Sequence, residues 1–365
     1  MRKVICLLCV FAFIVPSAAS AMELSAHSAL LMDKNSGRVL FAHNAEEKLL
    51  IASTTKIMTG LMALQMAEAN ERVKIKKSYT LVEGTRVYFK EGDVLTVGEL
   101  LTGLLLQSGN DAAIALADYC GRDEGIDGFV AAMNNMARQL GMKNSSFANP
   151  HGLNDDNNYS TAEDMAILTC AALSDPAFAA IVAKKTGVVG EITVRNHNKM
   201  LWNYEGATGV KTGYTKLAGR CLVSSAEREG QTLVAVTLNA PSDWNDHTMM
   251  LDYGFNTFPE RRLTTAGTFI CELPVVSGTA ALVNVRVRDT LSRALSEAEL
   301  KYVRAEVELP RFVFAPVEQG RTVGMIKYTL NGALIGQSEL YADSMVTEMT
   351  AVKKSIWRQL LDVFS

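Results

Sequence analysis

The sequence predicts an α/β chain of the α+β kind: a sheet flanked by helices, then a small all-β domain and a terminal amphipathic helix. Three observations carry that expectation. Strand-like runs at 29–32, 39–43, 220–226 and 232–238 bracket a long stretch of helical periodicity. From about residue 263 the pattern turns to short alternating runs, and 346–364 returns to a helical period. With 365 residues, 48% hydrophobic and 21% charged, the chain is long enough for two cores of ordinary size. A net charge of −3 gives no basis for holding a polyanion, so no nucleic-acid partner is expected.

Residues 1–21 have the form of a secretory leader: Arg2 and Lys3, an apolar run over 4–15, then Ala19-Ser20-Ala21. Cleavage there leaves Met22 first; an uncleaved anchor is the alternative, and both export the protein. Cys6 and Cys9 lie in this leader. The remaining Cys120, Cys170, Cys221 and Cys271 are scattered through apolar patterns, which favours free thiols over a framework, with one bridge left open. The five histidines lack metal-ligand spacing, so neither a zinc site nor any cofactor is expected.

The runs at 29–32 and 39–43 flank Asp33-Lys34-Asn35-Ser36-Gly37 and read as a hairpin. Ser53 then opens a helix whose buried stripe is Ile57, Met58, Leu61, Met62 and Leu64. Lys56 falls one turn beyond Ser53 on the same face, near enough to take its proton, at a helix end whose free N–H groups face the serine oxygen. The alternative is a serine cap beside a solvated lysine.

A helix over 97–106 ends at Ser108-Gly109-Asn110, the only S-x-N in the chain, and helical pattern resumes over 111–120. Another helix over 126–140 stops at Gly141. Asn149-Pro150-His151-Gly152-Leu153 is a loop in which His151 reads as bonded to backbone. Ser160-Thr161-Ala162-Glu163 reads as a capping box for a helix to Leu173.

Two K-T-G triplets occur. Lys185-Thr186-Gly187 follows the helical run 176–184 and reads as its C-terminal cap. Lys211-Thr212-Gly213 precedes two strand-like runs and reads as a sheet edge, where backbone groups can meet an extended peptide while lysine and threonine meet a carboxylate. Beyond residue 263, runs at 284–288, 303–309 and 325–330 lead to Asn331-Gly332, a tight hairpin turn. The final stretch carries Met349, Val352, Ile356, Leu360 and Phe364 along one side, with Lys353, Lys354, Arg358 and Trp357 elsewhere, and reads as a membrane-surface anchor, the alternative being a terminal helix packed on the protein.

Ser53-x-x-Lys56, Ser108-Gly109-Asn110 and Lys211-Thr212-Gly213, in that order in an exported chain, resemble the low-molecular-mass penicillin-binding proteins. More narrowly, the chain resembles the serine D-alanyl-D-alanine carboxypeptidases. Asn149–Leu153, Tyr159-Ser160-Thr161-Ala162 and the extended Lys211–Gly219 segment add to the likeness, which covers nearly the whole chain. The resemblance implies a β-lactamase/DD-peptidase-like transpeptidase fold over 22–262, a small β-sandwich domain over 263–345 and an anchor helix over 346–365. It also implies a stem peptide of peptidoglycan ending in D-Ala-D-Ala as substrate, β-lactam antibiotics as covalent inhibitors, and a place at the outer face of a bacterial cytoplasmic membrane.

The roles it implies are Ser53 as nucleophile, Lys56 as base, Ser108 as proton relay, and Asn110 as orienting group. Lys211 and Thr212 would bind the terminal carboxylate, and the backbone N–H groups of Ser53 and Tyr214 would hold the oxyanion, with Gly213 between them on the strand. Relatives can carry an arginine shortly after the K-T-G sheet, whereas no Lys or Arg stands here between Arg228 and Arg261. Carboxylate recognition is therefore expected to rest on Lys211, Thr212 and Thr215. A class A β-lactamase, a DD-endopeptidase and a catalytically silent wall-binding protein are the alternatives.

Overall fold

The computed structural model describes residues 22–349, so the expected leader and all of the tail from residue 350 lie outside the described residues. The chain divides into two compact units, Met1–Pro259 and Glu260–Ser365.

The first unit is built on a five-stranded antiparallel sheet. Its strands are β1 (Ser28–Asp33), β2 (Val39–His43), β5 (Ala207–Thr215), β6 (Gly219–Arg228) and β7 (Gln231–Leu238), in the order β2-β1-β7-β6-β5. The hairpin expected around Asp33–Gly37 is present. β5 is an edge strand, as the K-T-G pattern predicted.

Every residue of Leu233–Leu238 is buried, which requires cover on both faces of the sheet. On one face Leu30, Met32, Val234, Val236 and Leu238 join a single core with the helices. These are α1 (Lys56–Met66), α2 (Val97–Leu105), α3 (Asn110–Cys120), α4 (Gly125–Leu140), α5 (Ala162–Leu173) and α6 (Pro176–Val182). On the other face α7 (Asp243–Thr257) approaches so closely that a Cβ on Gly254 would meet Leu233 and Leu31 side chains within 2.8 Å. Cys120, Cys170, Cys221 and Cys271 are all free thiols.

Three local expectations are corrected. Ser160 does not cap α5: its hydroxyl is taken by Ser145, and the cap is Thr161, whose side chain accepts the Asp164 N–H. Lys185-Thr186-Gly187 is not a helix cap either. α6 ends at Val182, and Thr186–Val189 is a strand, β3, paired with β4 (Ile192–Arg195) in a separate two-stranded ribbon. Finally, 346–349 is not helical, because Val346 bridges Val317 and Glu348 bridges Gly278. Val346 is buried in the second unit's core, and that burial outweighs the helical periodicity of the residues following it.

The second unit carries a six-stranded sheet made of β8 (Phe269–Val276), β9 (Leu282–Val287), β10 (Val303–Glu308), β11 (Val313–Phe314), β12 (Thr322–Leu330) and β13 (Ala333–Ala342). The order is β10-β12-β13-β9-β8-β11, around a core that includes Leu273, Val285, Ile326 and Leu340. Asn331 and Gly332 turn the β12–β13 hairpin with φ of 51° and 83°, the paired positive values that an Asn-Gly turn supplies.

Candidate active site

Ser53 lies in a 3-10 turn, Ala52–Thr55, and Lys56 is the first residue of α1. The expected α-helical start is thus tightened by one turn, and in a 3-10 turn side chains three apart eclipse. Lys56 Nζ sits 3.0 Å from Ser53 Oγ.

The turn is held against the edge strand by a close backbone approach. A Cβ on Gly213 would stand 3.0 Å from Ser53 N and 3.1 Å from both Ile51 O and Thr54 N. Only the third residue of K-T-G being glycine lets β5 run this near to the serine. Gly152 does the same on the opposite side, with φ of 85° and room for no Cβ beside Ala52 O. Its loop is fixed by Asn149 Oδ1, which accepts the N–H groups of His151 and Gly152. His151 is, as expected, a backbone-bonded loop residue: its Nδ1 accepts the Leu153 N–H, and burial, then Lys56, lowers its pKa to about 4.

The Ser108-Gly109-Asn110 turn joins α2 to α3, with Ser108 at φ 63°. It is pinned from the segment 83–88: Asn110 N–H donates to Thr85 O, and Asn110 Nδ2 to Glu83 O. The buried Asp111 carboxylate in turn accepts the backbone N–H groups of Val87 and Tyr88, holding that segment in place.

Lys56 is wholly buried, and its Nζ has three acceptors: Ser53 Oγ, Asn110 Oδ1 at 2.7 Å and His151 O at 2.6 Å. Those three satisfy an ammonium. Burial, followed by the nearby Lys211, drives its pKa well below the ordinary lysine value, against an opposing pull from Asp111. In the neutral amine that this shift favours, two N–H bonds and one lone pair face the same three atoms. The two amide carbonyls can only accept, so the lone pair is left to the one partner that carries a proton, the Ser53 hydroxyl. The arrangement therefore points the base at the nucleophile by elimination of acceptors.

A cavity of about 330 Å³ opens over Ser53 and is lined by Ser108, Thr212, Gly213 and Tyr214 among others. Lys56 and Asn110 lie beneath it. Lys211 is also buried, its Nζ donating to Thr212 O, and burial pulls its pKa down to about 7. The Thr215 hydroxyl is turned aside, bonded to Asn154 Oδ1 and the Ala218 N–H. Of the nine residues singled out from the sequence, Thr215 alone is held away from the cavity and its floor.

The sequence reasoning missed Arg220, which lines the cavity with His197, Lys199 and Trp244. Its Nε and Nη2 grip Asp243 at 2.8–3.0 Å, and the guanidinium lies 5.7 Å from the Trp244 ring centroid. Among the described residues its Nη1 makes no hydrogen bond. The signal was present in the register: Arg220 is the cross-strand partner of Tyr214, so a short hairpin after K-T-G-Y-T returns it to the site.

Comparisons with known proteins agree with this geometry. Residues 15–242 match the family described as D-alanyl-D-alanine carboxypeptidase, and residues 258–348 match that of the penicillin-binding protein 5 C-terminal domain. The chain is 35% identical to D-alanyl-D-alanine carboxypeptidase DacC of Escherichia coli over 92% of this chain and 88% of that protein. It is 30% identical to DacF of Bacillus subtilis over 88% and 86%. Among solved structures, penicillin-binding protein 5 from Haemophilus influenzae superposes with a TM-score of 0.75 at 29% identity, covering 91% of this chain and all of that one.

Proposed function

Because this chain belongs to the D-alanyl-D-alanine carboxypeptidase family, we propose that it removes the terminal D-alanine of peptidoglycan stem peptides through an acyl-enzyme on Ser53. The observation that carries this reading is the 3.0 Å contact between Ser53 Oγ and a buried lysine whose other two partners can only accept.

Neutral Lys56 takes the Ser53 proton as Oγ bonds to the carbonyl carbon of the penultimate D-alanine, and the carbonyl electron pair moves onto oxygen. The N–H groups of Ser53 and Tyr214 hold that oxyanion. Its collapse breaks the C–N bond, and a proton passes from Lys56 through Ser108 to the leaving amine. Asn110 keeps Lys56 aimed throughout. Water then attacks the ester, with its proton returned by way of Lys56, and free Ser53 is restored. Thr212 and Arg220 hold the substrate's terminal carboxylate at the cavity, while Lys211 adds positive charge from below. A β-lactam enters by the same route and stays bound to Ser53.

Release of D-alanine from a synthetic pentapeptide, measured beside cleavage of cross-linked peptide dimers, tests the reading. Pentapeptide turnover with labelling by fluorescent penicillin, both lost in Ser53→Ala, is the expected result. Labelling of Ser53→Ala would overturn it.

Export by the leader over 1–21, and a place at the outer face of the cytoplasmic membrane through the tail, belong to the same proposal, supported by the sequence pattern alone. Truncation after Met349 is the right test of the tail, because a cut from Met345 also removes Val346 from the core of the second unit. The shortened chain is expected to bind membranes more weakly than the full chain, with penicillin labelling intact.

A further inference from the structure

The second unit keeps an apolar patch in the open. Val276 and Phe314 are register partners on β8 and β11, and their neighbours Val275 and Val313 are buried. Paired residues share a face, so Val276 and Phe314 stand together on the outer side. Phe312, two residues before Phe314, packs edge-on against it with ring centroids 5.3 Å apart. The Met349 N–H donates to Ser277 O at 2.8 Å, one residue along the chain from Val276. Exposure is 46% at Phe312, 62% at Phe314, 39% at Val276 and 63% at Met349. Three large apolar side chains clustered in water call for an occupant.

Position and charge say which. Met349 is the last described residue, and its backbone is bonded one residue from Val276. The segment that follows carries Lys353, Lys354, Trp357 and Arg358, and exposed Arg311 adjoins Phe312. An exposed arginine beside an aromatic, apolar patch, with a basic segment following in the sequence, matches an anionic bilayer surface, with rings at the acyl boundary and cations among the headgroups.

We propose that Phe312, Phe314 and Val276 form a second membrane contact, built into the β unit close to the root of the tail and inserting into anionic phospholipid. It rests on the reading that the tail lies at a bilayer, and it assigns part of the binding to the folded unit.

The test is co-sedimentation of the full chain with vesicles of phosphatidylcholine containing phosphatidylglycerol. Phe312→Ser/Phe314→Ser is expected to weaken binding by about ten-fold or more, from the transfer value of two partly exposed rings. Lys353→Glu/Lys354→Glu reports the tail separately, and the ring substitutions are expected to weaken binding further in that background. Val307→Ser, exposed elsewhere on the same unit, controls for general loss of apolar surface and is expected to bind as the parent does. Penicillin labelling and thermal unfolding confirm that each variant is folded. Unchanged binding of the ring variant beside weakened binding of the lysine variant would overturn the patch and leave the tail standing. Equal loss in Val307→Ser, or binding by no form of the chain, would overturn the patch as well.

Discussion

Lys185-Thr186-Gly187 and Lys211-Thr212-Gly213 are the same three residues in two settings. The first lies at and within β3, in a two-stranded ribbon, with Lys185 and Thr186 exposed to water. The second lies on β5, where Lys211 is buried and Gly213 touches the backbone of the serine turn. Burial pulls Lys211 to about 7, and Lys211 adds to the burial that lowers Lys56. The chemistry belongs to the burial and to the neighbours, and the triplet is only the means of fitting them.

The comparison can be broken most sharply at the lysines. Lys211→Ala is expected to lower kcat/KM for the pentapeptide by about a thousand-fold, within the range for losing support of a general base, and Lys185→Ala to leave it unchanged. Steady-state D-alanine release decides it, and equal effects would erase the distinction.

The glycines come next. Gly213→Ala pushes a methyl into the backbone of Ile51, Ser53 and Thr54 and is expected to slow acylation about a hundred-fold by displacing the nucleophile. In Gly187→Ala the new methyl meets the Thr102 and Leu106 side chains, so lower thermal stability with normal penicillin labelling is expected.

Arg220 sharpens the contrast, since the ribbon of the first copy has no counterpart in the cavity. Arg220→Gln is expected to cost about ten- to a hundred-fold in kcat/KM on the pentapeptide, the value of a charged hydrogen bond to a carboxylate. An amidated C-terminus is expected to show a much smaller loss.

The smallest effect is on stability. Lys211 gives up its proton at about 7 when folded and near 10.4 when unfolded, so between those values the unfolded chain holds more protons and stability rises with pH. Lys211→Met removes that rise. Its gain in melting temperature over the parent is expected to be greatest at and below pH 7 and to shrink toward pH 10. A gap independent of pH would show that Lys211 is not the group responsible.

These contrasts also mark what the sequence could disclose. The order of the three motifs, the hairpin at Asp33–Gly37, the edge position of β5 and the Asn331-Gly332 turn were legible, because each depends on local residue chemistry or short-range pattern. Thr161 displaced Ser160 as the cap because Ser145, fifteen residues back, occupies the Ser160 hydroxyl. The first K-T-G became a strand because a partner strand was available at Ile192–Arg195. Arg220 went unrecognised because its role depends on Asp243 and Trp244, which reach it from another element. For Ser160 and Arg220 the deciding neighbour was fifteen or more residues away, and for the first K-T-G it was the next strand of a hairpin.

The pinning of Val346 between Val317 and the core has a mechanical consequence. A pull on the residues beyond Met349 loads the Thr347–Thr279 and Met349–Ser277 backbone bonds together with the Val317 pair. It must also draw a buried valine into water before any loop can lengthen. Tension on the tail is thus borne by the folded β unit, which acts as a fixed mooring with little slack.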